Sequence, residues 1–284
     1  MRLIDGRTIA QTILEKVKND VEISHLKPFL KIFNVGNNPS SLVYMNKKKQ
    51  KGEEIGIKVE IEQFPEDVEI SIVEEAIQKA SSDVMVSGII IQLPVKNFKI
   101  KSCFQLIPTS KDVDCLNPTS LGLLWQNDKK VLIPATVKAI VKVLENISSL
   151  EKASSLKEFL TGKNVLIINR SLIIGKPLSA VLLNNDATVT IAHSGTLSLE
   201  NLFVNADIIV SATGQAGFIN KFSLNKGVIL IDAGFNYLNG KPVGDVFITP
   251  EIENQCSYLS PVPSGIGPIS VSCLLENTLL GTKK

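Results

Sequence analysis

Tyr44 and Lys48 are the two side chains whose spacing most directly suggests proton-transfer chemistry. They stand four residues apart in a segment with helical character, so a helix would place both on one face. A lysine that is screened from water can have its pKa lowered until it exchanges protons near neutrality. The alternative is that Lys48 is a solvated member of the basic run at 47–51, since such runs usually face solvent. Spacing alone leaves both interpretations open.

Three further polar side chains follow apolar or turn-forming segments. Gln92 lies near the carboxyl end of an apolar run that starts at Gly88 and is ended by Pro94. Open α/β sheets form their ligand crevices at this end of the strands, although a polar residue there can also simply terminate a strand. Asp112 and Asp114 lie in a turn-rich stretch, where carboxylates commonly cap turns. Each of these groups therefore has a structural and a functional interpretation.

A candidate nucleotide-binding loop follows a predicted strand at 164–168. Asn169, Arg170 and Ser171 lead from this strand towards a helix predicted at 177–183. Such a junction presents unpaired backbone N–H groups and a positive dipole end to a phosphate. Of the familiar glycine-rich spacing only Gly175 is present, so an ordinary strand–helix loop is the alternative.

The residues after the next predicted strand favour NADP over NAD. The strand at 188–191 is followed by Ala192, His193 and Ser194, without the carboxylate that NAD-selective folds place there for the ribose 2′-hydroxyl. Arg170 and Ser194 could instead bind a 2′-phosphate, because a guanidinium forms paired, charge-assisted bonds with phosphate oxygens. His193 either contacts the cofactor or is a strand-end histidine satisfied by backbone groups.

The elements that must position these groups alternate between helical and strand patterns. A chain of 284 residues exceeds the usual single domain, and the alternation predicts an α/β fold with two domains of mostly parallel sheets. Strands are predicted at 29–35, 58–61, 88–93, 164–168, 188–191, 208–210 and 228–231. Helices are predicted at 7–21, 69–80, 136–147, 177–183 and 269–280, with another between Pro39 and Gly56.

The domain boundaries follow from this alternation. Residues 1–118, completed by a C-terminal helix at 266–284, are predicted to form the first domain. Residues 119–265 are predicted to form a Rossmann-like nucleotide-binding domain.

Composition argues against several classes of function. A net charge of +2 is too small to indicate a nucleic-acid partner, and no apolar run approaches the roughly 20 residues that span a bilayer. The chain start does not resemble a secretion signal, and the four cysteines form no Cys-x-x-Cys pair. The two histidines lack partners at metal-ligand spacing. We therefore predict a water-soluble, cytoplasmic protein with free thiols, no protein-built metal site, and no nucleic-acid or membrane partner.

Five motifs turn these general patterns into a resemblance. They occur in the order Tyr-Met-Asn-Lys-Lys at 44–48, Gln-Leu-Pro at 92–94, Lys-Asp-Val-Asp at 111–114, Asn-Arg-Ser at 169–171 with Gly-Lys-Pro at 175–177, and Pro-Val-Pro-Ser-Gly-Ile-Gly-Pro at 261–268. Over nearly the whole chain, this order closely resembles the bifunctional methylenetetrahydrofolate dehydrogenase/cyclohydrolase family.

The resemblance implies two reactions in one cleft between the two domains. NADP-linked oxidation would convert 5,10-methylenetetrahydrofolate to the methenyl form, and hydrolysis would convert that to 10-formyltetrahydrofolate. The first domain would then be the folate-binding catalytic domain. The resemblance also implies homodimers and a reaction without a catalytic metal.

Each motif residue receives an implied role. Lys48 would transfer protons during hydrolysis, and Gln92 would hydrogen-bond Lys48 and keep its amine poised. Tyr44 would stack on or orient the folate ring, and Asp114 would accept bonds from the N–H groups of the pterin. The other implied substrate-pocket residues are Ile91, Leu93, Pro263, Ser264, Gly265, Ile266 and Gly267. The implied cofactor-binding residues are Asn169, Arg170, Ser171, Ser194 and Phe235.

The chain departs from the family pattern at six positions. Glycine is usual or common at Asn169, Cys115 and Ser264, a smaller aliphatic residue at Phe235, and cysteine and proline at Ala135 and Val137. None of these changes removes a proposed catalytic group. Two alternative hypotheses are a monofunctional dehydrogenase and a folate- or nucleotide-binding subunit that has lost catalysis through the substituted glycines.

Overall fold

A computed structural model describes residues 1–96 and 98–283, without the side chains of Ser40, Phe98 and Lys99. The α-helices are α1 (Gly6–Ser24), α2 (Pro39–Glu54), α3 (Ile70–Ser82), α4 (Pro118–Trp125), α5 (Ala135–Leu150), α6 (Leu156–Leu160), α7 (Gly175–Leu183), α8 (Leu199–Val204), α9 (Pro250–Gln255) and α10 (Ile266–Thr282). The strands are β1 (Arg2–Leu3), β2 (Phe29–Val35), β3 (Lys58–Phe64), β4 (Gly88–Ile91), β5 (Asn164–Ile168), β6 (Thr188–Ala192), β7 (Ile208–Ser211), β8 (Val228–Asp232), β9 (Asn236–Leu238), β10 (Lys241–Val243) and β11 (Cys256–Ser260). Short 3-10 helices span Phe98–Leu106 and Ile219–Lys221.

The chain divides into two compact units. The six-stranded unit comprises Met1–Ala10 and Thr136–Ser270, and the three-stranded unit comprises Gln11–Ala135 and Val271–Lys284. Both contain parallel sheets with connecting helices, which confirms the predicted α/β class.

The three-stranded unit is built on a parallel sheet of order β3-β2-β4. Leu30, Ile32 and Phe33 of the central strand β2 are each 0% exposed. A central strand covered on both faces has a nearly continuous apolar sequence, which explains why 29–35 was predictable from sequence. In β4 all four residues are buried.

The six-stranded unit has a parallel sheet of order β1-β11-β8-β7-β5-β6. Its core includes Leu166 and Ile168 of β5, Leu230 of β8 and Phe203 of α8. Chain order reverses at β5, because β6 pairs on one side of it and β7 on the other. In open α/β sheets this reversal marks the ligand crevice, at the carboxyl ends of the strands.

The N-terminal segment lies outside the domain to which it was assigned from sequence. Residues 1–118 were predicted to form one domain, but β1 pairs in parallel with β11, so Met1–Ala10 belongs to the six-stranded unit. At the other predicted boundary, the three-stranded unit continues past residue 118 to Ala135. Strand β11 was not predicted, because Ser257 and Tyr258 interrupt its apolar pattern. The antiparallel hairpin β9–β10 was not predicted either.

The described ranges contain no helix that combines the length and apolar character needed to cross a membrane. Cys103, Cys115, Cys256 and Cys273 are all buried free thiols.

Candidate active site

Lys48 and Gln92 meet in the three-stranded unit. Lys48 is half-buried on α2, one turn after Tyr44, and its Nζ donates to Gln92 Oε1 at 2.8 Å. Tyr44 is also half-buried. Lys48 therefore differs from its neighbour Lys49, whose side chain is exposed, and the solvated-lysine interpretation does not describe it.

The orientation of Gln92 is determined by its backbone surroundings. The Gln92 amide donates to the carbonyl of Phe33 at 2.8 Å, just beyond the end of β4. Gln92 Nε2 donates to the carbonyl of Leu93 at 2.7 Å, which leaves Oε1 to accept from Lys48. Ile91, the last residue of β4, is buried, so the Gln92 side chain directly follows the end of a buried strand.

The segment that carries Asp112 and Asp114 lies beside β4. The Ile89 amide donates to the carbonyl of Lys111 at 2.8 Å. A Cβ at Gly88 would lie 2.8 Å from a methyl carbon of Val113, so glycine allows this close approach. The sheet thus brings Asp114 into the same part of the unit as Gln92.

The two carboxylates have different environments. The Asp112 carboxylate is buried and accepts the Leu116 amide at 3.1 Å and the Asn117 amide at 2.9 Å. This is the turn-capping role that was the structural alternative for Asp112. Asp114 is half-buried, and its Oδ1 accepts the Ala135 amide at 3.1 Å.

Asn277 supports the loop of Asp114 and was not identified from sequence. Its side chain on α10 is fully buried, and Nδ2 donates to the carbonyls of Val113 at 2.9 Å and Ile133 at 2.8 Å. These bonds stabilise the loop, because a buried polar group that is left unpaired costs about 1–3 kcal/mol. The available signal was an asparagine on the apolar face of the predicted 269–280 helix.

Burial shifts the pKa values of both ionisable groups towards neutrality. Desolvation lowers the pKa of Lys48, and the negative charge of Asp114 opposes that shift. Desolvation raises the pKa of Asp114 to about 6, with the Lys48 charge and the Ala135 N–H opposing the rise and Asp112 adding to it. An amine whose pKa is lowered by desolvation, and only partly restored by a nearby carboxylate, is suited to accept and return a proton.

The candidate nucleotide loop in the six-stranded unit is organised by Asn169. Its Oδ1 accepts the Ser171 amide at 2.8 Å, the Ser171 hydroxyl at 2.6 Å and the Gly175 amide at 3.1 Å. Its Nδ2 donates to the carbonyl of Ala212 at 2.7 Å. A Cβ at Gly175 would lie 1.9 Å from the Asn169 carbonyl oxygen. Only glycine therefore fits at the start of α7.

Arg170 and Ser194 come together at the carboxyl ends of β5 and β6. Both are exposed, and Arg170 Nη2 lies 3.5 Å from Ser194 Oγ. His193 Nδ1 accepts the Gly195 amide at 3.1 Å, which supports the backbone-satisfied interpretation of this histidine. Phe235 is half-buried, with its ring against Tyr237 at 5.3 Å between centroids. The donor set near Arg170 suits a phosphate group.

The segment Pro263–Gly267 belongs to the six-stranded unit and leads into α10. A Cβ at Gly6 would lie 2.1 Å from the Gly265 carbonyl oxygen, and one at Gly265 would lie 2.3 Å from the Pro261 carbonyl oxygen. Ser264 has a φ of 84°, in the left-handed region that glycine adopts without strain. Backbone contacts thus determine the shape of this loop.

Replacing Ser264 by glycine is expected to stabilise the protein. The left-handed conformation costs a non-glycine residue about 1–2 kcal/mol, and the greater freedom of glycine in the unfolded chain offsets about 0.4–1 kcal/mol of that gain. Thermal unfolding should therefore show a Tm that is higher by a few degrees. The same substitution at the exposed Ser149, in the last turn of α5, relieves no left-handed strain and should not raise Tm, because glycine has a lower helix propensity than serine. A lower Tm for S264G would contradict the strain argument.

Within the described residues, no three His, Cys, Asp or Glu side chains are grouped so that they could hold a metal ion.

Comparisons with known proteins point to one family along the whole chain. The family model described as tetrahydrofolate dehydrogenase/cyclohydrolase, catalytic domain, matches residues 4–114, and the corresponding NAD(P)-binding domain matches residues 134–284. The bifunctional protein FolD of Lactobacillus acidophilus is 37% identical over 100% of this chain and 98% of that protein. The crystal structure of the bifunctional methylenetetrahydrofolate dehydrogenase/cyclohydrolase FolD from Campylobacter jejuni has a TM-score of 0.91, 32% identity, and coverage of 100% of this chain and 99% of that one. The structure of the Trypanosoma brucei enzyme, solved with NADP cofactor and inhibitor, has a TM-score of 0.88 and 28% identity. The match covers 99% of this chain and 97% of that one.

Proposed function

The chain belongs to the tetrahydrofolate dehydrogenase/cyclohydrolase family, and from that premise we propose the chemistry of its sites. It is a bifunctional enzyme of one-carbon metabolism. It oxidises 5,10-methylenetetrahydrofolate to the 5,10-methenyl form with NADP and hydrolyses that product to 10-formyltetrahydrofolate. The observation that carries the proposal is the desolvated Lys48 amine, which donates a hydrogen bond to Gln92 and interacts electrostatically with the Asp114 carboxylate.

Hydrolysis requires both protons of the attacking water to leave its oxygen and one proton to reach N5 of the folate. As water adds to the methenyl carbon, the neutral amine of Lys48 accepts the proton that the water loses. The bond from that carbon to N5 of the folate then breaks as the carbinol hydroxyl releases its proton to bulk water and becomes the formyl carbonyl. The protonated Lys48 gives its proton to N5, so one proton is released in each turnover. Gln92 Oε1 accepts a hydrogen bond from Lys48 throughout, which holds the amine in position for both transfers.

Asp114 and Tyr44 orient the folate in this proposal. The Asp114 carboxylate accepts N–H bonds from the pterin edge, and ionised acceptors form the stronger hydrogen bonds. Tyr44, on the same face of α2 as Lys48, stacks on the ring. Ile91 and Leu93 of the three-stranded unit complete this proposed folate site. For Pro263, Ser264, Gly265, Ile266 and Gly267, the family resemblance alone supports a substrate-binding role.

The six-stranded unit binds NADP. The Arg170 guanidinium and Ser194 hydroxyl lie close enough to share one phosphate, and the segment Thr190–Ser194 contains no carboxylate that would repel it. Ser171, oriented by Asn169, and Phe235 complete the proposed set. Bound NADP supplies hydride acceptance, so the protein's task in this step is binding and orientation.

Arg170→Ala is expected to raise the KM for NADP by about tenfold or more, because a hydrogen bond to a charged group contributes about 1.5–3 kcal/mol when it is well formed. The KM for NAD should change much less, since NAD lacks the 2′-phosphate. Initial rates measured with both cofactors in parallel would test this. Lys163→Ala, at the opposite end of β5, is the matched control and should leave both KM values unchanged. Equal losses with NADP and NAD would remove Arg170 from the 2′-phosphate site.

A single coupled assay separates the bifunctional enzyme from its alternatives. With methylenetetrahydrofolate and NADP, absorbance of the methenyl product should rise and then decay faster than in buffer. Decay at the buffer rate would indicate a monofunctional dehydrogenase. Ligand binding without any turnover would indicate a binding subunit that has lost catalysis.

The intact protein is proposed to be a cytoplasmic homodimer. Membership of the family supports the dimer, and four buried free thiols fit a reducing compartment. Light scattering should give a mass of twice the 30.9 kDa chain, and cell fractionation should place the activity with the cytoplasm. A monomeric mass or activity in another fraction would contradict these proposals.

A further inference from the structure

Two buried carboxylates, Asp245 and Asp232, lie beneath the loops after β7 and β8, and both residues are 0% exposed. Asp245 Oδ2 accepts the Ser211 hydroxyl and the Thr213 amide, each at 2.6 Å. Asp245 Oδ1 accepts the Gln215 amide at 3.0 Å. One carboxylate therefore holds the last residue of β7 and two backbone amides of the loop that follows.

Asp232, the last residue of β8, holds the neighbouring backbone in the same way. Its Oδ1 accepts the Gly234 amide at 2.9 Å and the Asp245 amide at 3.1 Å, and its Oδ2 accepts the Val246 amide at 2.9 Å. Asp232 thus holds the backbone that carries Asp245. The two carboxylates form one cluster whose oxygens are committed to positioning loops.

Two glycines allow the backbone to approach this cluster. A Cβ at Gly234 would lie 2.1 Å from Asp245 Oδ1, and a Cβ at Gly244 would lie 2.0 Å from Asp232 Oδ2. Both distances are far below contact distance, so a side chain at either position would displace a carboxylate. Glycine at both positions therefore lets the backbone lie in direct contact with the two carboxylates.

The cluster acts at the edge of the sheet where the ligand crevice forms. β7 pairs with β5 at the point where chain order reverses, and such points bind dinucleotides in open α/β sheets. The Asn169 side chain donates to the carbonyl of Ala212 at 2.7 Å, which links the loop after β5 to the loop that Asp245 holds. The loops after β5, β7 and β8 therefore form one connected set.

We propose that Asp245 and Asp232 are positioning residues for the dinucleotide, acting through the backbone of 212–217 and 233–235. This inference rests on the proposed NADP-linked function. A loop ordered before binding loses less conformational entropy when the ligand arrives, so preorganisation increases affinity. The carboxylates themselves need not touch the cofactor.

Asp245→Asn tests the proposal, because it preserves side-chain size and replaces one acceptor oxygen with an NH2 group that faces N–H donors. Ser211→Ala is a milder variant that removes only the hydroxyl donor to Asp245. Asp207→Asn is the matched control, since Asp207 Oδ2 accepts the Asn164 amide at 2.8 Å at the amino ends of β5 and β7. For each intact protein, calorimetry gives the Kd for NADP. Hydrolysis of added methenyltetrahydrofolate, which consumes no NADP, gives an independent activity.

The expected result is a Kd for NADP weakened about tenfold or more in D245N and less in S211A, as the loss of one or two hydrogen bonds predicts. Hydrolysis should stay within about twofold of the parent in both variants, and D207N should change neither quantity. If D245N does not fold, S211A decides the outcome. Parental NADP affinity in a folded D245N or S211A, or an equal loss of hydrolysis and NADP binding, would overturn the proposal. Failure of the proposed function is distinct, because the unmodified protein would then not bind NADP.

Discussion

Lys48→Met is expected to lower the rate of methenyltetrahydrofolate hydrolysis by about 10²–10⁴-fold, the usual contribution of a positioned acid–base group. Methionine reproduces the unbranched stem of lysine as far as Cε but has no amine to accept the proton from water. Dehydrogenation should be affected less, because NADP accepts the hydride and Lys48 only helps to orient the folate in that step. The measurement is the decay of added methenyltetrahydrofolate together with the rate of NADPH formation.

The control for this prediction stands next in the chain. Lys49→Met makes the same substitution on an exposed side chain of α2 and should leave hydrolysis unchanged. Gln92→Leu removes the acceptor at 2.8 Å from Lys48 Nζ and should slow hydrolysis while Tm stays near the parent value. Hydrolysis at the parental rate in folded K48M would remove Lys48 from the mechanism.

Asp114→Asn is expected to raise the KM for the folate substrate by roughly 10–100-fold, because hydrogen bonds to a charged acceptor contribute about 1.5–3 kcal/mol each. The parent should show the same weakening as pH falls through about 6, the pKa to which burial raises Asp114. Protonation of the carboxylate and the asparagine substitution both remove the charged acceptor. The measurement is the KM for folate against pH, which should be flat through this range in D114N.

Stability gives an independent check on the same pKa. The folded-state pKa of Asp114, about 6, lies above the ordinary pKa of an aspartate, 3.8, so the folded protein binds more protons between these values. Its contribution to stability is therefore present below about pH 4 and is lost as pH rises through about 6. Denaturant midpoints of the parent should show this loss and those of D114N should not. A folate KM in the parent that is independent of pH near 6 would contradict the role of Asp114.

The secondary structure of the apolar core was predictable because it depends on local patterns. Strands β2 and β5 were predicted with their observed bounds, since an apolar run bounded by turn residues is typical of a buried parallel strand. Strands β1 and β11 were missed for the opposite reason. β1 has two residues and β11 contains interrupting polar side chains, and only their pairing with each other and with β8 makes them strands.

The site was partly predictable because its motifs are also local patterns in the sequence. The motif residues around Lys48, Gln92, Asp114 and Arg170 indicated the family, and the comparisons confirm that membership. Asn277 and the Asp232–Asp245 cluster were not predicted, because their functions lie in contacts with distant backbone groups. The bond from Asn277 to Val113 spans 164 residues of chain.

The family, the α/β alternation and the identity of the side chains that can do chemistry follow from the residues and their order alone. Which of those side chains lie close enough to act together depends on how the chain folds. Lys48 and Gln92 are 44 residues apart in the chain and 2.8 Å apart at their side-chain atoms. The pKa of Lys48 is lowered by desolvation, and desolvation is produced by every element packed around the amine. No local pattern at 44–48 contains that information, because water exclusion is a property of the folded chain.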